Sequence, residues 1–209
     1  MTILTSPILV WDMKYLQMCE MWAAGTKAIG GWSFDDDIAA IDNGDGTVSL
    51  KLTAHGMVVG SHIMIAGTTN YDGCHVIAAA DPEADSNHFS IGAIYVAEDI
   101  QDTAKLHIGI APGVPFRVLE SRLNLGANGG AVEDYVITLD SGHHASLDGP
   151  LVTTAMNAVD RSLDEWSDNK RFFNAADAIL YTYPNTGGPQ TWGLEVKYAV
   201  LSGEQSNIL

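Results

Sequence analysis

Short apolar runs cut by glycine at near-regular intervals constrain this chain more than any other feature. Between Ala54 and Ile91 it reads Ala54-His55-Gly56, Val58-Val59-Gly60, Ile63-Met64-Ile65-Ala66-Gly67, Thr68 to Gly73, Cys74-His75-Val76-Ile77 and finally Phe89-Ser90-Ile91. No run is long enough for a helix of ordinary length, and glycine supplies the positive φ that tight turns require. The stretch therefore reads as a small antiparallel β-unit built on turns, with no room for a helix. A compact β-module inside a larger β-rich chain, without a catalytic signature, points toward architecture or binding rather than catalysis.

The rest of the sequence continues the same pattern. Asp42-Asn43-Gly44-Asp45-Gly46 is a strong hairpin signal, because Asn-Gly and Asp-Gly tolerate left-handed backbone. It joins Ile38–Ile41 to Thr47–Leu52, where Val48, Leu50 and Leu52 alternate with polar residues as in a strand buried on one side. His75–Ile77 and His88–Ile91 read as the next strands of the module, with a loop over 81–87 between them. From Ala93 onward the pattern stays β, with strands expected at Leu106–Ile110, Phe116–Leu125, Tyr135–Asp140, Ala178–Tyr183 and Trp192–Tyr198. Turns fall at Gly126–Gly130 and Pro184–Pro189. Ala155–Trp166 suits a short helix or an irregular loop. Many short strands separated by frequent turns indicate a sandwich or barrel.

The N-terminal part differs. Residues 2–11 resemble a strand broken by Pro7, and Asp12 is placed to cap a helix running through about Ala24. Tyr15, Met18, Cys19 and Trp22 fall at helical spacing and define one apolar stripe facing the core or another subunit. The expected organisation is an attachment segment over 1–44, a small β-barrel module over 45–100 and a β-sandwich over 101–209. The fold class is thus all-β: an antiparallel, jelly-roll-like sandwich with an inserted barrel module and a short N-terminal helix.

Charge narrows the partners. The 209 residues include 26 acidic and 10 basic side chains, a formal net charge of -16. Such a surface repels phosphate backbones, so direct nucleic-acid binding is not expected. With 46% hydrophobic and 17% charged residues the composition is that of a folded globular chain. No stretch approaches the roughly 20 apolar residues of a membrane-spanning helix, and the N-terminus lacks the basic and apolar regions of a signal peptide. A soluble protein made in the cytoplasm, without a membrane partner, is the expectation. Cys19 and Cys74 lie among apolar residues and outside any Cys-x-x-Cys pair, which suits two buried thiols better than a zinc site or a disulfide.

Residue patterns for chemistry are weak. The run Asp35-Asp36-Asp37 lacks the alternation and turn glycine of a calcium loop. His55, His62, His75 and His88 do not have metalloprotease spacing, and His55 beside Gly56 is suited to bracing a turn. His143-His144, flanked by Asp140 and Asp148, could ligate one ion only from an irregular loop, since neighbours on a strand face opposite ways. There is no Gly-x-Ser-x-Gly elbow, Walker loop or dinucleotide fingerprint. No enzyme activity, catalytic residue, metal or cofactor is expected.

Two segments resemble known proteins. The run His55-Gly56, Val59-Gly60, Ile63-x-Ile65-x-Gly67-Thr68-Thr69-Asn70-Tyr71-Asp72-Gly73 and Phe89-x-Ile91 resembles a small β-barrel repeat of tailed-bacteriophage virion proteins. Phe116–Ser121, Glu133 with Val136 and Ile137, Asp140-Ser141-Gly142, Tyr183–Thr186 and Thr191–Val196 resemble a β-sandwich of phage structural proteins; Ala176-Asp177 stands where that sandwich often has Gly-Asp. The resemblance implies a virion component: a head decoration, neck or tail accessory protein that binds copies of itself and a neighbouring virion protein. The first 44 residues lie outside it. Aromatic residues concentrate toward the ends of the chain, and Trp11, Tyr15, Trp22 and Trp32 are the candidate interface anchors. The alternative is a receptor- or glycan-binding module of a phage fibre, stacking sugars on Trp32, Trp166 or Trp192.

Overall fold

A computed structural model of the chain describes residues 16–26, 28–80, 82, 87–127, 133–141, 145–156, 161–165, 172–185 and 191–201. Strands occupy Leu16–Gly25 (β1), Trp32–Ser33 (β2), Ile38–Ala39 (β3), Ile41–Asp42 (β4), Thr47–Lys51 (β5), His62–Ala66 (β6), Gly73–Ala80 (β7), His88–Gly92 (β8) and Asp99–Ile100 (β9). They continue as Lys105–Ile110 (β10), Phe116–Leu125 (β11), Asp134–Asp140 (β12), Gly149–Ala155 (β13), Arg161–Glu165 (β14), Phe172–Phe173 (β15), Ala178–Thr182 (β16) and Trp192–Leu201 (β17). A single 3-10 turn at Ala145–Leu147 is the only helical element among the described residues. No helix among those residues is long and apolar enough to cross a membrane.

The protein is an all-β, antiparallel sandwich. The smaller sheet runs β1-β17-β11-β14, with β15 also on β11. The larger runs β13-β12-β16-β10-β6-β7-β8-β5-β4, with β2 beside β10, and β3 and β9 form a separate ribbon. Met21, Ala23, Leu123, Leu194 and Val196 of the smaller sheet share one hydrophobic core with Ile108, Ile137, Ile179 and Tyr181 of the larger. Ser121 Oγ and Tyr181 Oη meet at 3.3 Å between the sheets. The same core continues through Val48, Leu50, Ile63, Ile65, Phe89 and Ile91 at the other end of the larger sheet. Burying each such side chain stabilises by about 1.5–3 kcal/mol, set against the entropy of ordering it.

The glycine-cut stretch forms strands β6, β7 and β8 as its pattern requires. The Asp42–Gly46 hairpin is also present, with Gly44 at φ 73° and Gly46 at φ 85°. Asp42 Oδ1 accepts from the Gly44 amide at 2.9 Å, and Asp45 Oδ1 accepts from the Thr47 amide at 2.9 Å. β5 departs from the one-sided burial its alternation suggests. Ser49 is as buried as Val48 and Leu50, because the turn folds back over it and Asn43 Oδ1 accepts from Ser49 Oγ at 3.0 Å.

Three expectations need correction. The helix expected through Ala24 is absent from Leu16 onward: these residues are β1, paired with β17 along its whole length from Leu16↔Leu201 to Gly25↔Trp192; Asp12–Tyr15 lie outside the described residues. The expected barrel module does not close. Its strands extend the larger sheet, and the pairing path does not return on itself among the described residues. Within Ala155–Trp166 the described residues contain β14, paired with β11, in place of a helix or loop.

β10 carries the larger sheet across the sequence division expected at residue 100. Its first half pairs with β6 (Leu106↔Ile65) and β2 (Leu106↔Trp32), and its second half with β16 (Gly109↔Leu180). Gly109 permits that last contact: a Cβ there would lie 2.7 Å from the Ile179 carbonyl oxygen.

Candidate functional site

Of the four candidate anchors, Trp11 and Tyr15 lie outside the described residues. Trp22 sits in β1, where the two-residue period of a strand decides its direction. Met21 and Ala23 point into the core at 2% and 0% exposure, so Trp22 and Met18 share the outward face, at 42% and 63%. Residues 56–62 secure this part of β1. Ser61 Oγ accepts from the Ala24 amide at 3.1 Å, the Val58 amide donates to Ala24 O at 3.2 Å, and His62 Nδ1 lies 3.0 Å from Trp22 O.

The indole has a seat. Gly60 adopts φ 88°, and a Cβ there would come within 2.8 Å of Trp22 Cζ2. Glycine therefore serves both the backbone turn and the ring. Val58 and Val59, in the segment leading to Gly60, and Val76, opposite His62 in the β6–β7 register, are also exposed. On the other side of the ring, β17 places Glu195 opposite Trp22 and Lys197 opposite Glu20. These four line a groove of about 270 Å³. Arg122 pairs with Glu120 at 3.0 Å and Glu195 at 3.5 Å, and Lys197 approaches Glu120 at 3.8 Å. Such half-exposed pairs contribute about 0–1 kcal/mol each, so they set orientation more than stability. An apolar centre with a charged rim is the anatomy of a protein-binding surface.

The fourth anchor, Trp32, is half-buried and packed against the core beside Leu106. Trp192 is in the core at 3% exposure, so it offers no face to a sugar; Trp166 lies outside the described residues. The β pattern expected from Ala93 onward fails over its first residues, which form an exposed segment instead. Residues 93–98 are not strand, and Ile94, Tyr95 and Val96 stand exposed between β8 and β9. The signal is an apolar run, Ala93–Ala97, leading straight into Glu98-Asp99 with no polar alternation.

The titratable candidates are dispersed. Asp35 Oδ2 accepts from Thr53 Oγ1 at 2.8 Å, whereas Asp37 Oδ1 accepts from Gln101 Nε2 at 2.7 Å, so the acidic run splits between separate partners. His55 is buried and braces its turn as expected. Nδ1 accepts from the Met57 amide at 3.0 Å, Nε2 donates to His88 O at 3.1 Å, and the ring meets Phe89 edge-on. His75 Nε2 lies 2.9 Å from Tyr71 O. His143-His144 lie outside the described residues. Among the described residues no three His, Cys, Asp or Glu side chains converge on a point that could hold a metal ion. The cysteines are both free thiols, but neither is buried as expected: Cys19 is half-buried and Cys74 exposed. Burial immediately around the sulfur still pushes the Cys74 thiol upward.

The most displaced titratable group belongs to the core. Burial, then the adjacent Glu133 carboxylate, pushes the Tyr183 phenol well above its ordinary value. A larger groove of about 570 Å³ lies between the β4–β5 turn and the β7–β8 edge, lined by Ile41, Asp42, Thr47, Ala79, Pro82 and Ser90. It carries carboxylates and hydroxyls, and no cation is in its lining among the described residues. No family model, curated protein or solved structure matches the chain.

Proposed function

We propose that the chain is a structural component of a tailed-phage virion, a head decoration, neck or tail accessory protein that works by protein–protein contact. The sequence resemblance over about residues 45–200 supports the setting, and the surface supports the mode of action. The observation that carries the reading is the Trp22 surface. A 42%-exposed indole is held over Gly60 and shares its strand face with exposed Met18; Val58 and Val59, just before Gly60, and Val76 are also exposed, and Glu20, Glu195 and Lys197 line the adjoining groove. Large aromatic side chains at the centre of such patches supply most of the binding energy in protein interfaces. The net charge of -16 disfavours a surface facing packaged DNA.

Sedimentation velocity over a range of concentrations tests this, with parallel binding to phage particles assembled without the protein. Wild type should self-associate or bind the particle. Trp22→Ser should lose that behaviour while keeping the wild-type circular dichroism and melting temperature. A wild-type protein that stays monomeric at high concentration and ignores the particle overturns the reading.

A further inference from the structure

The structure carries a second apolar feature, remote in sequence from Trp22. Residues Gly92–Glu98 leave β8 and return to β9 as a projecting loop. Ile94 at its tip is 88% exposed, with Tyr95 at 39% and Val96 at 43%. Single exposed apolar residues need no explanation. Three in a row on a loop held at several points do.

The loop is fastened from below. Tyr71 is buried at 1% exposure, and its hydroxyl donates to Val96 O at 2.6 Å and accepts from the Val96 amide at 3.1 Å. The Glu98 carboxylate accepts from the backbone amides of Thr69 at 2.5 Å and Asn70 at 2.9 Å, and from Asn70 Nδ2 at 3.1 Å. Glu98 O accepts from the Ala40 amide at 2.9 Å, and Asp99 pairs with Ala39. Ordering costs that a floppy loop would meet on binding are thus already met in the free protein.

Carboxylates lie beside the finger and at its root. Asp42 lines the groove of about 660 Å³ that separates the β4–β5 turn from Ile94 and Tyr95, and Asp45 belongs to that same turn. Asp72 closes the turn that grips the loop, where its Oδ1 accepts from the Thr68 amide at 2.7 Å. Glu98 and Asp99 form its C-terminal root. A second copy would bring the same negative collar against this one, and anionic lipid or nucleic acid would be repelled.

We propose that the Ile94 finger docks into an apolar socket rimmed by lysine or arginine on a different protein. The apolar tip supplies affinity, and the acidic collar supplies orientation and association rate. The inference rests on the assembly reading above and adds the partner's chemistry to it.

Three probes test it: a leucine–lysine amphipathic peptide, a leucine–glutamate peptide with the same apolar face, and oligolysine. Affinity is read by titration at low and raised salt, and the contact by amide shifts in nitrogen-15 spectra. The leucine–lysine peptide should bind, shift the amides of residues 93–97 and weaken with salt. Ile94→Ser should weaken it roughly tenfold or more, without loss of fold because the side chain is solvent-exposed. The other two probes should bind at least tenfold more weakly. Equal binding of oligolysine or of the glutamate peptide overturns the proposal, as does unchanged affinity in Ile94→Ser. Loss of self-association in Ile94→Ser also overturns it, by making a second copy the occupant. Failure here with Trp22-dependent assembly intact removes the finger alone; loss of both removes the assembly reading as well.

Discussion

The Tyr183 phenol donates a 2.5 Å hydrogen bond to Glu133 Oε2, and both residues are sealed in the core at 0% and 1% exposure. The pair joins the end of β16 to the residue that precedes β12. Hydrogen bonds to charged groups contribute about 1.5–3 kcal/mol, and a buried acceptor that loses its donor keeps its desolvation cost. Tyr183→Phe should therefore lower stability by about that amount, read as a shift of the urea midpoint at unchanged slope. The pH dependence has a definite sign. The folded-state phenol is raised above its ordinary value of 10.0, so its contribution is complete below that pH. It fades as alkali ionises the unfolded chain first. Wild type should lose stability more steeply than Tyr183→Phe above about pH 10; parallel curves would refute the coupling.

His107 gives the opposite case on the acid side. Burial depresses its imidazole below the ordinary value of 6.5; Asp140 partly opposes this, and Lys105 adds to it. The ring is also confined by Gly31, where a Cβ would stand 2.7 Å from His107 Cε1. Because the folded state resists protonation, the unfolded chain binds more protons once pH falls below 6.5, and stability drops until the folded pKa is passed. Denaturant midpoints between about pH 7.5 and 5 should fall in wild type and flatten in His107→Gln. An unchanged slope in that variant would show that another group titrates.

The two faces of β1 show what local sequence could and could not reveal. Met18, Cys19 and Trp22 are three and four residues apart, which is helical spacing, yet a strand sends Cys19, Met21 and Ala23 inward and Met18 and Trp22 outward. What decides between the two is pairing with β17, whose residues lie more than 160 positions away, and no local pattern records such a partner. β14 escaped notice for a similar reason: Arg161-Ser162-Leu163-Asp164-Glu165 carries little apolar signal and is held by its ladder to β11. By contrast β6, β8, β10, β11, β16 and β17 announced themselves, because apolar runs and turn residues both mark them. Trp22 stands exposed although the helical stripe to which its spacing assigns it does not exist. The Ile94 finger is not legible in the sequence, since an apolar triplet reads as strand until its exposure is known.

Gly109 and Gly113 separate close approach from backbone strain. A Cβ at Gly109 would meet the Ile179 carbonyl oxygen at 2.7 Å and Leu180 Cδ2 at 3.0 Å, in a strand of ordinary φ. Gly113 has φ 72° with open space around it. Gly113→Ala should cost about 1–2 kcal/mol from left-handed strain alone. Gly109→Ala should reach the upper end of the roughly 1–3 kcal/mol typical of overpacking, because a backbone oxygen cannot step aside as a side chain can. It should also loosen the β10–β16 ladder, seen as faster hydrogen exchange at Ile108 and Ile110. Equal exchange in the two variants would mean that β10 and β16 do not approach as closely as this.

Tyr71 is the point at which the core reaches the exposed loop. Its ring is buried, and its hydroxyl closes a two-way hydrogen bond with the Val96 peptide. Tyr71→Phe keeps the ring and removes only that clamp. Two hydrogen bonds of about 0.5–1.5 kcal/mol each are lost, partly replaced by water at the loop. A global destabilisation of about 1–2 kcal/mol is expected, with a larger relative effect on local opening. The Val96 amide should lose exchange protection, whereas Ile91 in β8, whose ladder to β5 is untouched, should lose only what global stability loses. The consequence for docking follows from the same bonds. Once the loop is free to move, ordering it becomes part of the cost of binding, so Tyr71→Phe should weaken the leucine–lysine peptide several-fold although the apolar tip is unchanged. Full affinity together with a fast-exchanging Val96 amide would show that the finger does not need to be held rigid in order to bind.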